Sequence, residues 1–116
     1  MIPVITLNNG IEMPQLGLGI YDPQPGQDIR QAVLWAFELG YRLIDTATIY
    51  KNEREVGNAM RDSGLRREEI FLTTKVWNDD QGYDATLRAF EESLRKLNTD
   101  YVDLYLIHWP VREHRI

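Results

Sequence analysis

Strand-like and helix-like stretches alternate along this 116-residue chain, which predicts a parallel α/β fold: half of a (β/α)8 TIM barrel, opened by a β-hairpin. Three observations carry this expectation. Apolar stretches of strand length recur at 42–45, 70–75 and 101–108, separated by residues with the 3.6-residue apolar spacing of helices. Each stretch ends on a residue capable of chemistry, namely Asp45, Lys75 and His108. Parallel barrels gather their active sites at that end of the strands, and a whole barrel takes roughly 250 residues, about twice the length here.

The elements follow in order. Residues 4–7 and 11–13 flank Asn9-Gly10, the preferred centre of a two-residue hairpin turn with positive φ at both positions. Residues 15–19 form a short first parallel strand, with Leu16 and Leu18 expected on the inner face, and the Pro- and Gly-containing loop 21–26 breaks it. Ile29, Ala32, Val33, Ala36 and Phe37 mark one face of a helix over 28–39, stopped by Gly40. After strand 42–45, Asn52 with Glu55 suggests a capping box opening a helix buried through Val56, Ala59 and Met60 and ended by Gly64. Strand 70–75 precedes a third helix with Leu87, Phe90, Leu94 and Leu97 on its apolar face. Strand 101–108 completes the order hairpin-βαβαβαβ. No linker or low-complexity segment interrupts it, so residues 1–116 are expected to form one domain.

Composition excludes several function classes. Charged residues make up 27% and hydrophobic residues 43%, an ordinary globular balance. The formal net charge is −5 without a basic stripe, which argues against nucleic acid as a partner. There is no cysteine, so disulfides, thiolate metal sites and a cysteine nucleophile are ruled out. Two histidines without metal-ligand spacing predict no metal site, and no Walker-type phosphate loop is present. The beginning of the chain lacks the pattern of a secretory signal, and no apolar run approaches the ~20 residues of a membrane span. A cytoplasmic protein without membrane contact is the expectation. His114, in the tail, is assigned no role.

The sequence resembles the aldo-keto reductase family nearly end to end. The likeness is carried by Leu7-Asn8-Asn9-Gly10, Met13-Pro14, Leu16-Gly17-Leu18-Gly19, and Gly40-Tyr41-Arg42-Leu43-Ile44-Asp45-Thr46-Ala47. It continues through Tyr50, Asn52-Glu53, Val56-Gly57, Thr73-Thr74-Lys75-Val76-Trp77 and Asp103-Leu104-Tyr105-Leu106-Ile107-His108-Trp109-Pro110. The set in register is specific where any single piece is weak. It covers the N-terminal half of the family's barrel.

The resemblance implies NADPH-dependent reduction of aldehyde or ketone carbonyls, with Asp45, Tyr50, Lys75 and His108 as the catalytic set. It implies cofactor contacts at Gly19, Ile20, Tyr21 and Asp45, and aromatic walls around a small carbonyl substrate from Tyr21, Trp77 and Trp109. Tyr50 would act as general acid. An unperturbed tyrosine titrates near ~10, so a neighbouring Lys75 ammonium would assist it by stabilising the anion. Asp45 would hold Lys75 charged, and His108 would hydrogen-bond the carbonyl oxygen. Most of the family's cofactor contacts come from its second half, which this chain does not contain, so weak cofactor binding and low activity are expected of it alone.

Strand periodicity places Leu43 with Asp45, Phe71 and Thr73 with Lys75, and Val102, Leu104 and Leu106 with His108 on the inner face. An uncovered inner face and two open strand edges predict self-association, as a homodimer or higher homo-oligomer. The alternative reading of the chain is therefore a non-catalytic half-barrel module that self-associates.

Overall fold

A computed structural model describes residues 2–22 and 27–111; the predicted loop positions 23–26 and His114 lie outside the described residues. A two-stranded antiparallel sheet, β1 (Val4–Thr6) and β2 (Glu12–Pro14), precedes a four-stranded parallel sheet. The parallel strands are β3 (Gly17–Gly19), β4 (Leu43–Asp45), β5 (Phe71–Val76) and β6 (Leu104–Ile107), in the spatial order β3-β4-β5-β6. Helices α1 (Ile29–Glu38), α2 (Glu53–Asp62) and α3 (Tyr83–Leu97) make the crossovers. The predicted half-barrel order is the observed one.

Register fixes the two faces of the parallel sheet. Gly17, Leu43 and Phe71 pair in one row, and Gly19, Asp45, Thr73 and Leu104 in the next row on the same inner face. Leu18, Ile44 and Leu72 form the row between, facing the helices. Ile44 and Leu72 are fully buried among Val33 and Phe37 of α1, Val56, Ala59 and Met60 of α2, and Leu97 of α3. Burying each such side chain contributes about 1.5–3 kcal/mol. The core therefore lies between sheet and helices, and it holds the ends of β4 and β5 rigid beneath the site.

Local chemistry sets the boundaries. Asp28 caps α1 by accepting from the Gln31 backbone N–H at 2.9 Å. Asn98 closes α3 in the left-handed conformation at φ 54°. Arg67 clasps the start of β5 to the approach to β6, donating to Ile70 O, Tyr101 O and Asp103 Oδ2. Asp103 Oδ2 also accepts from Leu72 N while Asp103 N–H donates to Leu72 O at 2.9 Å, so a side chain takes one backbone partner here and the regular strand starts at Leu104. That is why β6 is shorter than the predicted 101–108.

Several expectations are corrected. The hairpin loop holds three residues, because Leu7 and Ile11 close it and only Gly10 has positive φ. Leu18 and Val102 pack against the helix-side core, not the inner face. The inner positions of β3 are Gly17 and Gly19, and Leu43 fills the space over Gly17. Leu43 and Phe71 are buried within this chain, so they need no partner to cover them. The hairpin sits under the strand starts, where Val4, Ile11 and Pro14 face Arg42, Ile70 and Phe71 across a cleft of about 650 Å³. Asn52 makes no capping bond to α2. Leu87 is exposed on α3, where Ser93 and Leu97 are the buried positions.

Helices α2 and α3 meet through Gly57, where a Cβ would stand 2.6 Å from Leu97 O and 2.8 Å from Leu97 C. Those are backbone atoms and cannot rotate away. Gly57→Ala is expected to lower stability by about 1–3 kcal/mol in urea unfolding. Unchanged stability would mean that the two helices can move apart at no cost.

Candidate active site

The site assembles at the C-terminal ends of the parallel strands. Asp45 is the last residue of β4, and Lys75 is the fifth residue of β5. The in-register partner of Asp45 is Thr73, so Lys75 stands one inward step further along the neighbouring strand. Its ammonium is hydrogen-bonded and ion-paired to Asp45 Oδ1 and donates to Thr46 O at 3.1 Å. The Lys75 side chain is 15% exposed, against 41% for Asp45. An ammonium withdrawn from water needs such partners, and here one is a full charge.

Tyr50 is carried by a single 3-10 turn, Thr48–Tyr50, between β4 and α2. The following residue, Lys51, has φ 59°, a left-handed kink that turns the chain into the helix. Lys75 Nζ lies 5.2 Å from the Tyr50 ring centroid, within cation–π reach. His108 follows β6 directly, its N–H donating to Val76 O at 3.1 Å. Its ring meets Tyr50 edge-on at 5.8 Å between centroids. All four residues of the expected catalytic set are thus brought together.

The expected aromatic walls surround them. Tyr21 packs at 5.3 Å from Tyr50, and Trp77 at 5.3 Å from His108 and 5.4 Å from Trp109. Tyr21 and Trp109 are largely exposed, at 67% and 57%. Gln81 anchors the far wall, donating from Nε2 to Trp109 O at 2.7 Å. Gly19 lies beside Asp45 in register, and a Cβ there would project into open space. Ile20 departs from expectation: its side chain belongs to the core, its N–H donates to Asp45 O, and its carbonyl accepts from Asn52 Nδ2. It faces away from the site.

Sequence reasoning missed three supports: Thr46, Asn52 and Gln81. Thr46 stood within a segment that carries the family resemblance but was given no role, and Gln81 carried no recognisable local signal. Asn52 carried a misleading one, since Asn followed by Glu three residues on resembles a cap.

Electrostatics act most clearly on His108. Burial lowers its pKa below the ordinary value, the Lys75 ammonium lowers it further, and Asp45 pulls the other way. Its Nδ1 is buried without a hydrogen-bond partner, in keeping with a neutral ring. Among the described residues no group of metal-ligating side chains gathers, and no helix is long and apolar enough to cross a membrane.

The Aldo/keto reductase family matches residues 15–116. The chain belongs to the aldo-keto reductase family. It is 59% identical over 106 residues to a 9,11-endoperoxide prostaglandin H2 reductase of Trypanosoma cruzi, covering 91% of this chain and 38% of that protein. A glyoxal reductase of Bacillus subtilis is 54% identical, with 94% of this chain and 40% of that protein covered. Among solved structures, a Bombyx mori aldo-keto reductase in complex with NADP superimposes with a TM-score of 0.90 at 44% identity, covering 95% of this chain and 39% of that one. The chain thus spans about two fifths of the length of these aldo-keto reductases.

The depressed His108 pKa has a testable sign. The folded state binds a proton less readily than the unfolded chain, so stability is full above the ordinary histidine range. It falls as pH drops through that range toward the folded value. An NMR titration should give a His108 midpoint below that of the same residue in the urea-unfolded chain. Equal midpoints would contradict the effects of burial and of the Lys75 charge.

Proposed function

We propose that this chain provides the proton-donating half of an NADPH-dependent reductase of small aldehyde and ketone carbonyls. One observation carries the reading: the Lys75 ammonium is paired with Asp45 and lies 5.2 Å from the Tyr50 ring, with His108 against the same ring. Family membership and the similarity to named reductases support it.

The strand ends fit a nicotinamide. Gly19 leaves open the space that a Cβ would fill beside Asp45, and Tyr21 stands next to it. Gly19, Tyr21 and Asp45 would hold the cofactor here, and the NADP-bound relative supports the choice of NADPH. When bound, it supplies the hydride to the carbonyl carbon.

The remaining work belongs to this chain. Tyr50 Oη–H donates its proton to the carbonyl oxygen, so that hydride and proton together convert C=O into an alcohol. The Lys75 charge stabilises the tyrosinate left behind, and Asp45 holds the ammonium beside the ring. A neutral His108 hydrogen-bonds the carbonyl oxygen and orients it without competing for the proton. Tyr21, Trp77 and Trp109 wall the substrate.

Tyr50→Phe removes one oxygen and leaves the ring packing with Tyr21 and His108 intact. Where NADPH-dependent reduction of a small aldehyde is measurable, the substitution should lower the rate by about 10²–10⁴-fold while the circular dichroism stays unchanged. Turnover equal to the parent would remove Tyr50 from the chemistry. For this chain alone, a fluorescence titration with NADPH should not saturate at micromolar concentration; tight binding would reassign the missing contacts to residues within it.

A second reading, self-association as a homodimer, rests on the outer strands. In the order β3-β4-β5-β6, the terminal strands each have one neighbour, and Leu106 on β6 is 38% exposed. A two-fold arrangement that joins β6 to the partner's β3 would pair both edges and cover Leu104 and Leu106. Leu106→Lys alters an exposed position and should yield a folded monomer in sedimentation velocity where the parent is a dimer. A parent that sediments as a stable monomer at micromolar concentration would contradict this reading.

A further inference from the structure

We infer that Asn52 is a positioning residue for the site, tying the loop after β3 to the backbone carbonyl that holds Lys75. It is 5% exposed and stands immediately before α2, where an asparagine normally caps the helix. Its side chain makes no capping bond. Both ends of the amide are used across the fold instead. Oδ1 accepts from Thr46 Oγ1–H at 2.6 Å, and Nδ2 donates to Ile20 O at 2.9 Å.

Each partner has a second link into the site. Thr46 O accepts from Lys75 Nζ at 3.1 Å, while Thr46 N–H donates to Thr73 O. Ile20 N–H donates to Asp45 O, and the next residue, Tyr21, packs on Tyr50. Asn52 itself follows Tyr50 by two residues. One planar amide therefore joins three segments: the loop bearing Tyr21, the strand end bearing Asp45 and Thr46, and the turn bearing Tyr50.

The position needs a donor and an acceptor in one plane, which only an amide of this length supplies. An aspartate keeps the acceptor toward Thr46 and loses the donor toward Ile20. An alanine loses both and leaves the Thr46 hydroxyl and the Ile20 carbonyl unpaired in sites that are 0% and 4% exposed. The two variants therefore separate the two arms of the tie.

The inference rests on reading Lys75 and Tyr50 as the proton-donating pair. Its test does not use turnover, so the two can fail separately. In a ¹⁵N-lysine-labelled chain, the Lys75 ammonium correlation should be visible near neutral pH, because its protons are held in hydrogen bonds. Asn52→Asp should retain that signal while hydrogen exchange at the Ile20 amide rises by about tenfold or more. Asn52→Ala should lose the signal and show the same faster exchange. Thr46→Val removes only the hydroxyl; it should broaden the Lys75 signal and serves if Asn52→Ala does not fold. A role confined to stability would lower the melting temperature, raise exchange at the other core amides as much as at Ile20 and leave the Lys75 signal in place, and that result overturns the inference. So does Thr46→Val with an unchanged Lys75 signal.

Discussion

The Asp45–Lys75 ion pair across two adjacent parallel strands is the interaction on which the site depends. Parallel pairing sets β4 and β5 so that the lysine stands one inward step beyond the residue opposite Asp45. The lysine then has two partners in reach, the Asp45 carboxylate and the Thr46 carbonyl. Remove either strand, or shift the register by one residue, and the charge turns into the apolar layer under the helices. The position of Lys75 in turn explains the environment of its neighbours. It puts a cation beside the Tyr50 ring and lowers the proton affinity of His108.

Some buried polar groups near this pair are hydrogen-bonded and fasten the neighbouring segments, whereas Thr73 Oγ1 and His108 Nδ1 are buried without a partner. Glu53 is 2% exposed yet accepts from Thr74 Oγ1 at 2.7 Å, which fastens the start of α2 to the helix side of β5. Thr74 and Lys75 point to opposite faces of the same strand. The helix side of β5 is therefore tied to α2 through Glu53, while the inner side is tied to β4 through Asp45. Asn52 lies between these anchors. The aromatic wall is held differently, by ring packing from Tyr21 to Tyr50, His108, Trp77 and Trp109, with one hydrogen bond from Gln81.

Much of this was legible in the sequence because the governing rules are local and periodic. The apolar spacing of Val33, Ala36 and Phe37 located α1 and its buried face. Asp45, Lys75 and His108, each closing an apolar stretch of strand length, located the site. The failures have a common cause, a local rule overridden by a tertiary contact. Leu16 and Leu18 suggested an apolar inner face, but the glycines beside them face inward because Leu43 occupies the space above Gly17. Asn52 satisfied the pattern for a helix cap, but partners from two other segments claim its amide. The residues 101–103 follow the pattern of a strand, yet the Asp103 carboxylate takes the Leu72 N–H, and only the Asp103 N–H reaches the β5 backbone before the regular strand begins at Leu104. Such outcomes depend on groups distant in sequence, which no short pattern encodes.

The central claim is that Asp45, Lys75 and His108 act as one electrostatic unit around Tyr50. The most direct measurement is the NMR titration midpoint of His108 in Lys75→Met and Asp45→Asn variants, each compared with the parent. Loss of the Lys75 charge should raise the midpoint, and loss of the Asp45 charge should lower it, because the two act on the ring in opposite directions. Midpoints that stay fixed in both variants would contradict the account, since His108 would then respond to burial alone and the four residues would be neighbours without being coupled.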